Sequence, residues 1–593
     1  DLLNDRALAL GALGRTDEAI ATYEHARRAD PTHVESRTNL GNLLASTGRL
    51  ADAETAFREA LALRPRFAEA HNNLANVLKA AGRHEEALAH YAEAVRADPA
   101  LADACSNYGA ALREAGRFEA AIPLLERAIA IRPDSAGALN NLGMAYHECR
   151  RDAEAVRCYR RALELRPEMH EARNNLGNAL AAMGDEAEAI ATYRATIAMA
   201  PQEPDAYSNL GVILQERGEV EEAIASYRRA LALEPDHADA LTNIGYLLQE
   251  QGRLGEAVDY YSRALEANPR SARAGYNLGL ALIVRGDLER GWALHERRFD
   301  TAPPVAVARP LPMPLLRASD WGAGHRVAVW REQGVGDQLL YSTLLPEFAA
   351  AGQSFVLEAD PRLVPAYRRA HPDWAVVAPE ESAAAFAGCT RHIAVGSLPM
   401  LMRTSAASFE RQPASLLAAD AGRARGYRER LAAPGARVVG ISWRSFQPKG
   451  RRYVERKKSM ALAEFAALAA RDDLRLLDLQ YGDTAAEREA FAAQGGRLAH
   501  FDDLDLFNDL DGVLAAVQAC DAIVTTSNVT AHLGGVLGKE TLLVYLGGNP
   551  PFHYWVPRPD GRSQWYPSVR IVTSPALDTW AKALARVDEL LRG

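Results

Sequence analysis

Hydrophobic positions in the first half of the chain follow the spacing of an amphipathic helix, and the whole pattern restarts every 34 residues. Apolar residues at i, i+3, i+4 and i+7 predict a first helix, a turn and a second helix in each unit. Because one helical hairpin cannot bury its own apolar face, the units must stack. The pattern predicts an α-solenoid over residues 1–308, with eight regular units and a degenerate ninth. The period is marked by Pro31, Pro65, Pro99, Pro133, Pro167, Pro201, Pro235, Pro269 and Pro303.

One polar position recurs in the first helix of the units, where packing does not require it. Stacking would align these side chains along the concave surface, and a carboxamide can pair both polar groups of an extended peptide backbone. Two interpretations remain open: the row binds an elongated ligand such as an extended polypeptide, or each side chain bonds a neighbouring helix end or its own turn. The row comprises Asn39, Asn73, Asn107, Asn141, Asn175, Asn209, Asn243 and Asn277.

The second half of the chain follows a different pattern, in which short β-rich runs alternate with helical stretches. A proline-rich link over 301–314 separates the halves, and we place the domain boundary after residue 308. Strand–helix alternation predicts parallel sheets covered on both faces. We therefore expect an α/β domain over 309–593, with two Rossmann-like lobes at about 320–435 and 436–593. The β-rich runs begin at residues 325, 354, 374, 391, 437, 474, 521, 541 and 569.

The end of the first strand leads into a glycine-rich turn and a helix, in the sequence WREQGVGDQLL. Ligands of open parallel sheets lie beyond the carboxyl ends of the strands. Gly334 and Gly336 allow close backbone approach there, and Asp337 stands at the start of the helix. Asp337 either faces the ligand cleft or serves as an ordinary helix N-cap.

The first strand of the second lobe ends in a segment of positive charge, ISWRSFQPKGRRYVERKK. Ser442 and Arg444 lie at the strand end, and Lys458 closes the segment. Basic groups at this position would form charge-assisted bonds to a phosphate. A solvated basic loop is the alternative interpretation.

A third segment, DAIVTTSNVTAHLGG, joins a buried strand to a helix. The free N–H groups and the positive dipole end of a helix that begins near Asn528 and Thr530 would form an anion site. Ser527 lies directly before that helix and His532 lies within it. His532 is either part of this anion site or a packed core histidine.

These motifs resemble two known families. The repeats resemble the tetratricopeptide repeat, and the asparagine row is similar to the one in O-linked N-acetylglucosamine transferases, where it holds acceptor polypeptide. The three strand-end segments, in this order, resemble the GT-B-type transferases that include the lipopolysaccharide heptosyltransferases. The resemblance implies that Asp337 is the catalytic base and that Lys458 and His532 contact donor phosphate. Ser527 stands where that family has Asp, which argues against an ADP-heptose donor.

Composition and charge exclude several other classes. The formal charge of −9 gives no overall footprint for nucleic acid, and no apolar run is long enough to span a bilayer.

Five cysteines without a CxxC pair fit a reducing cytoplasm, where we expect the protein. The chain begins without Met, and we expect that some of the native N-terminus is missing. The resemblance to two-lobed transferases implies that no metal or cofactor is needed, so the Asp-rich run near 502–511 is better explained by capping of the helix that follows.

The two halves together are similar to bacterial tetratricopeptide glycosyltransferases that modify flagellin with nonulosonic acids. The resemblance implies a metal-independent enzyme that moves a sugar from a nucleotide-sugar donor, CMP-linked in that case, to Ser or Thr of a protein held by the repeats. Two alternatives remain: a transferase for a lipid-linked or polysaccharide acceptor, and a scaffold with an inactive transferase domain. The aromatic segment 552–566 would either stack on the donor or pack the domain together.

Overall fold

The computed structural model describes residues 1–332, 334–431, 435–445, 459–546 and 553–592. By their internal contacts these residues form two compact units, Asp1–Ile213 and Leu214–Gly593. The second unit contains the last repeats together with the whole α/β region. The boundary falls inside the seventh repeat, so the eighth and ninth repeats belong structurally with the α/β region.

Paired helices occupy the described chain up to residue 295, which confirms a helical solenoid of repeats. The helices are α1 Leu2–Ala12, α2 Thr16–Ala29, α3 Val34–Ser46, α4 Leu50–Leu63, α5 Ala68–Ala80, α6 His84–Ala97, α7 Ala102–Glu114, α8 Phe118–Ile131, α9 Ala136–Glu148, α10 Asp152–Leu165, α11 His170–Met183, α12 Glu186–Met199, α13 Pro204–Arg217, α14 Val220–Leu233, α15 Ala238–Glu250, α16 Leu254–Ala267, α17 Ala272–Arg285 and α18 Leu288–His295. A 3₁₀ turn over Glu296–Phe299 follows α18.

The turn inside each repeat needs a left-handed residue, which explains the periodic glycine. Gly14, Gly48 and their equivalents have φ between 72° and 92°, and Arg150 takes the same conformation with a φ of 61°. A second glycine, in the first helix, makes room for the aromatic residue of the second helix. A Cβ built on Gly143 would lie 2.6 Å from the ring of Tyr159. The period thus encodes both the turn and the helix packing.

The α/β region contains two parallel sheets, as the strand–helix alternation predicts. The four-stranded sheet has the order β3-β2-β1-β4, and the five-stranded sheet has the order β6-β5-β7-β8-β9. Every paired strand is parallel to its neighbour. The nine strands found among the described residues coincide with predicted runs: β1 Arg326–Trp330, β2 Ser354–Glu358, β3 Ala375–Val377, β4 Arg391–Ala394, β5 Arg437–Ser442, β6 Leu474–Asp478, β7 Ala522–Thr525, β8 Thr541–Val544 and β9 Val569–Val572.

Helices connect the strands of both sheets, and buried aliphatic residues of the strands and helices form shared cores. The described helices are α19 Val335–Ser342, α20 Leu345–Ala350, α21 Val364–Ala370, α22 Pro379–Phe386, α23 Leu398–Met402, α24 Ala421–Leu431, α25 Ala466–Ala469, α26 Ala485–Ala493, α27 Leu510–Ala519, α28 Val529–Val536 and α29 Trp580–Arg592. Asp509 caps α27 by accepting a bond from the Gly512 N–H, which confirms the capping interpretation of the Asp-rich run. Within the described ranges, no helix is both long and apolar enough to cross a bilayer.

Candidate functional site

The turn between β1 and α19 places Asp337 at the carboxyl end of the first sheet. Gly334 is the N-cap residue of α19 and has a φ of 89°, which an L side chain rarely adopts. Asp337 is the third residue of the helix, and no side-chain cap bond is formed. The alternative in which Asp337 is an N-cap is therefore wrong. Its role as a catalytic base stays a prediction.

The Asp337 carboxyl is half-buried in surroundings that disfavour its charge. Burial first, and then the Glu332 carboxylate, raises the pKa of Asp337 to about 7, while the Arg298 guanidinium opposes the shift. The described residues provide no hydrogen bond to this carboxylate. A carboxyl group that titrates near neutral pH at the ligand end of a sheet can accept a proton in a reaction.

A buried Arg–Glu pair beside Asp337 was not predicted from the sequence. Arg298, only 2% exposed, donates to Glu332 through Nε at 2.8 Å and through Nη2 at 2.7 Å. The same guanidinium bonds Ser397 Oγ at 2.8 Å and the Glu296 carboxylate at 2.5 Å. Such a pair is tolerated inside a protein only when nearly all its polar atoms are bonded. Arg298 belongs to the segment that follows α18, so the ninth repeat contributes to the surroundings of Asp337.

His532, on α28, lies against the first turn of α19. Its Nδ1 is hydrogen-bonded to the Tyr566 hydroxyl at 3.0 Å, and a Cβ built on Gly336 would lie 3.2 Å from its Nε2. Burial lowers the pKa of His532 to about 3, so the imidazole is neutral. The first and third predicted segments therefore meet, while the donor-binding role of His532 stays a prediction.

Asn528 joins the second and third predicted segments. Its Oδ1 accepts from the Thr530 N–H at 2.9 Å and so caps α28. Its Nδ2 donates to Ser442 Oγ at 2.8 Å and to the Arg444 carbonyl at 3.2 Å. The carboxyl ends of β5 and β7 are thereby fixed next to the positive end of α28.

Arg444 and Ser527, two of the residues predicted to bind donor, have side-chain partners within the protein. The Arg444 guanidinium bonds Glu487 at 2.8 Å and the Asp483 carbonyl at 2.7 Å. Ser527 Oγ accepts from the Trp555 indole N–H at 2.9 Å, and Thr530 is buried. Lys458 lies outside the described residues, as does the rest of 446–458. Their donor contacts stay predictions.

The aromatic segment after residue 552 packs the domain together. Tyr554, Trp555, Trp565 and Tyr566 are all buried. The Trp565 ring lies 6.1 Å from that of Trp292 on α18, and the Trp555 ring lies 4.9 Å from that of His532. Of the two interpretations given for this segment, the structure supports packing. Phe552 lies outside the described residues.

Most of the predicted asparagine row is bonded within the repeats. Five of these side chains donate to an asparagine of the preceding repeat, and Asn243 bonds the Tyr227 side chain. For Asn141 and Asn277 no hydrogen bond is found among the described residues. Most of these bonds run to asparagines inside a helix of the preceding repeat, not to a helix end or a turn, and acceptor binding stays a prediction. The five bonds are Asn39–Asn4 at 3.0 Å, Asn73–Asn42 at 2.7 Å, Asn107–Asn72 at 3.0 Å, Asn175–Asn140 at 3.2 Å and Asn209–Asn174 at 3.3 Å.

A cavity of about 320 Å³ opens beside this row in the first unit. Its walls come from α7, α9, α11, α12 and α13. The polar lining includes Asn140, Asn141, Asn174 and Asn175 together with Arg113, His170, Glu171, Glu203 and Asp205. The cavity can hold one side chain of a bound peptide.

Comparison with known proteins identifies the repeats. Tetratricopeptide repeat models match residues 4–65, 38–102, 150–204 and 202–270, and a TPR repeat model matches 109–149. Protein FlbA of Caulobacter vibrioides is 26% identical over 324 residues, which cover 51% of this chain and 52% of FlbA. The chain thus spans about half the length of that curated relative.

Solved structures with similar repeats each match a part of the chain. YrrB, described as a TPR protein with an unusual peptide-binding site, is 28% identical over 32% of this chain and 97% of its own, with a TM-score of 0.29. PilF of Pseudomonas aeruginosa is 21% identical over 37% of this chain and 96% of its own, with a TM-score of 0.31. The matches to the repeat models show that the N-terminal region of the chain is a series of tetratricopeptide repeats, a class of repeat that binds peptide or protein partners.

Proposed function

We propose that this chain is a protein O-glycosyltransferase whose repeats hold the acceptor and whose α/β region has a GT-B architecture. The main support for this proposal is Asp337. Its carboxyl group is half-buried at the carboxyl end of one parallel sheet and has a pKa near 7. It lies in the turn of α19 that packs against α28, a helix of the second parallel sheet. A proton acceptor in such a position suits the activation of a hydroxyl group.

The proposed reaction is a single displacement. The Asp337 carboxylate takes the proton of a Ser or Thr hydroxyl while that oxygen attacks the anomeric carbon of the donor sugar. The bond between this carbon and the phosphate oxygen breaks, and the nucleotide leaves with the electron pair. The negative charge that develops on the phosphate is stabilised by the positive end of α28, which Asn528 fixes next to β5.

The proposed donor is a nucleotide sugar, with a CMP-linked nonulosonic acid as the first candidate, and the reaction needs no metal or other cofactor. The proposed acceptor is a protein, with flagellin as the first candidate, because the sequence resembles flagellin-modifying transferases. Support for a protein acceptor comes from the repeats themselves and from the cavity beside Asn141 and Asn175.

The first experiment measures thermal stabilisation of the full chain by CMP-, UDP- and ADP-linked sugars. A donor present at about 100 times its dissociation constant stabilises the folded state by about 2.7 kcal/mol. The donor that stabilises the chain is then incubated with flagellin, and the product is weighed by intact-mass spectrometry. A mass increase equal to one or more sugar residues on flagellin supports the proposal.

The two alternatives give different results in the same experiment. If donor is bound and hydrolysed but only a lipid-linked acceptor is modified, the acceptor assignment is wrong. If no nucleotide sugar changes the melting temperature, the α/β region does not bind donor. The chain is then a scaffold, which is the outcome favoured by the engaged side chains of Ser527 and Arg444.

A further inference from the structure

Tyr276 departs from the repeat pattern at one informative place. It precedes Asn277, the last member of the asparagine row. In earlier repeats the corresponding residue is small and polar. Three of these residues, Asn72, Asn140 and Asn174, accept a side-chain hydrogen bond from the next repeat. Because no further repeat follows the ninth, the residue at this position has no next repeat to bond and can bond another group.

The ring of Tyr276 is connected through the ring of His295 to the helix face that carries Asp337. Its centroid is 5.7 Å from the ring of His295, which is itself 6.3 Å from the ring of Tyr341. Tyr341 and Asp337 are four residues apart on α19 and therefore share one face. Arg298, which bonds both His295 and Glu332, completes this wall.

The Tyr276 hydroxyl is a donor without a partner among the described residues. By contrast, the Tyr341 hydroxyl bonds His553 Nε2 at 3.2 Å and the Tyr566 hydroxyl bonds His532 Nδ1 at 3.0 Å. Burial, and then the charge of Asp337, raises the pKa of Tyr276 to about 12, so the phenol keeps its proton at neutral pH. It lies close enough to Asp337 to interact electrostatically, yet the two groups are not bonded.

We infer that Tyr276 is an acceptor-positioning residue, whose hydroxyl donates to a main-chain carbonyl of the acceptor polypeptide beside the residue that Asp337 deprotonates. The inference rests on the proposed function. A bond to the carbonyl holds the acceptor chain without withdrawing electrons from the attacking oxygen. At the corresponding position of the other repeats, the side chain also forms hydrogen bonds through a carboxamide or a hydroxyl. The ninth repeat thus forms part of the reaction site.

The test compares Tyr276→Phe with Tyr261→Phe in the full chain. Tyr261→Phe removes a hydroxyl that donates to Gln249 at 3.2 Å within the repeats, away from Asp337. Loss of one neutral hydrogen bond should weaken flagellin binding and raise its KM by about 2- to 10-fold in Tyr276→Phe. Tyr261→Phe should bind flagellin and hydrolyse a CMP-linked nonulosonic acid like the wild type.

Binding of flagellin is measured by titration calorimetry as well as from KM, so the test does not depend on turnover. Unchanged affinity and KM in a stable Tyr276→Phe variant would overturn the inference. It would also be overturned if binding, transfer and donor hydrolysis all fell together with the melting temperature, since Tyr276 would then be structural. A wild-type chain that binds flagellin but transfers no sugar refutes the proposed function alone, and the calorimetric comparison still decides the role of Tyr276.

Discussion

Gly336 and His532 lie so close together that a Cβ on the glycine would be 3.0 Å from the imidazole Cδ2. This approach holds the first turn of α19 against α28, and with it the two segments that we assign to base and donor phosphate. The glycine is therefore required by the contact between two helices, whereas Gly334 is required by its backbone conformation.

Gly336→Ala should separate the two helices by a few tenths of an ångström and lower transfer by about 10- to 100-fold, because misplaced reacting groups are costly. Overpacking should also cost about 1–3 kcal/mol of stability, measured by urea unfolding. Gly426→Ala is the matched control, since that helical position has open space around it. If Gly336→Ala keeps full activity, this contact does not set the geometry of the site.

The positions of the strands and repeats could be read from the sequence because both depend on local periodicity. A repeat of 34 residues fixes the helices, and short β-branched runs between helices fix the parallel sheets. The sequence also predicts that Asp337 lies at the ligand edge of a sheet, since the carboxyl ends of parallel strands share one edge.

Side-chain pairing across the fold could not be read in this way. Arg298 and Glu332 are 34 residues apart and lie in segments of different type, so nothing local indicates that they pair. The basic run predicts that Arg444 binds the donor, yet its guanidinium forms a salt bridge with Glu487 of α26. The paired asparagines at 72–73, 140–141 and 174–175 were a visible signal for bonding between repeats, because one member of each pair accepts from the next unit.

The rate of transfer should depend on pH through Asp337. A base with a pKa of about 7 is active only when ionised, so kcat/KM should rise with pH through that value. Glu332→Gln removes a negative charge that raises this pKa. The acidic limb of the pH–rate profile should therefore move to lower pH.

The exposed Glu380→Gln on α22 is the control for this profile, and both variants are checked for an unchanged circular dichroism spectrum. An acidic limb that stays in place or moves to higher pH in Glu332→Gln would show that Asp337 is not the group that titrates.

The asparagine row contains one pair that separates stability from acceptor binding. Asn175→Ala removes the donor to Asn140 and should cost about 0.5–1.5 kcal/mol in urea unfolding. Asn141→Ala should leave stability nearly unchanged, because the described residues show no bond to that side chain. Both residues line the cavity in the first unit.

If the row binds acceptor, Asn141→Ala weakens flagellin binding while the melting temperature stays constant. Equal flagellin affinity in wild type and Asn141→Ala would restrict the row to holding the repeats together. A double-mutant cycle between Asn140 and Asn175 measures the bond itself, with a coupling of about 0.5 kcal/mol or more expected for residues in contact.

Replacement of the proposed base should lower activity while it raises stability. The folded state raises the pKa of Asp337 above its unfolded value, so ionisation of this carboxyl opposes folding increasingly from about pH 4 to about pH 7. Asp337→Asn cannot ionise. The melting temperature of Asp337→Asn should therefore exceed that of the wild type by an amount that grows from about pH 5 to about pH 7 and then stays constant, as followed by scanning calorimetry.

The most direct measurement is the rate of sugar transfer to flagellin by Asp337→Asn at pH 8, beside the exposed Asp373→Asn as control. We expect Asp337→Asn to transfer about 10²- to 10⁴-fold more slowly with unchanged donor affinity, because only the proton acceptor is lost. Asp373→Asn should match the wild type. Transfer by Asp337→Asn at the wild-type rate, with donor bound equally well, would contradict the assignment of Asp337 as the base.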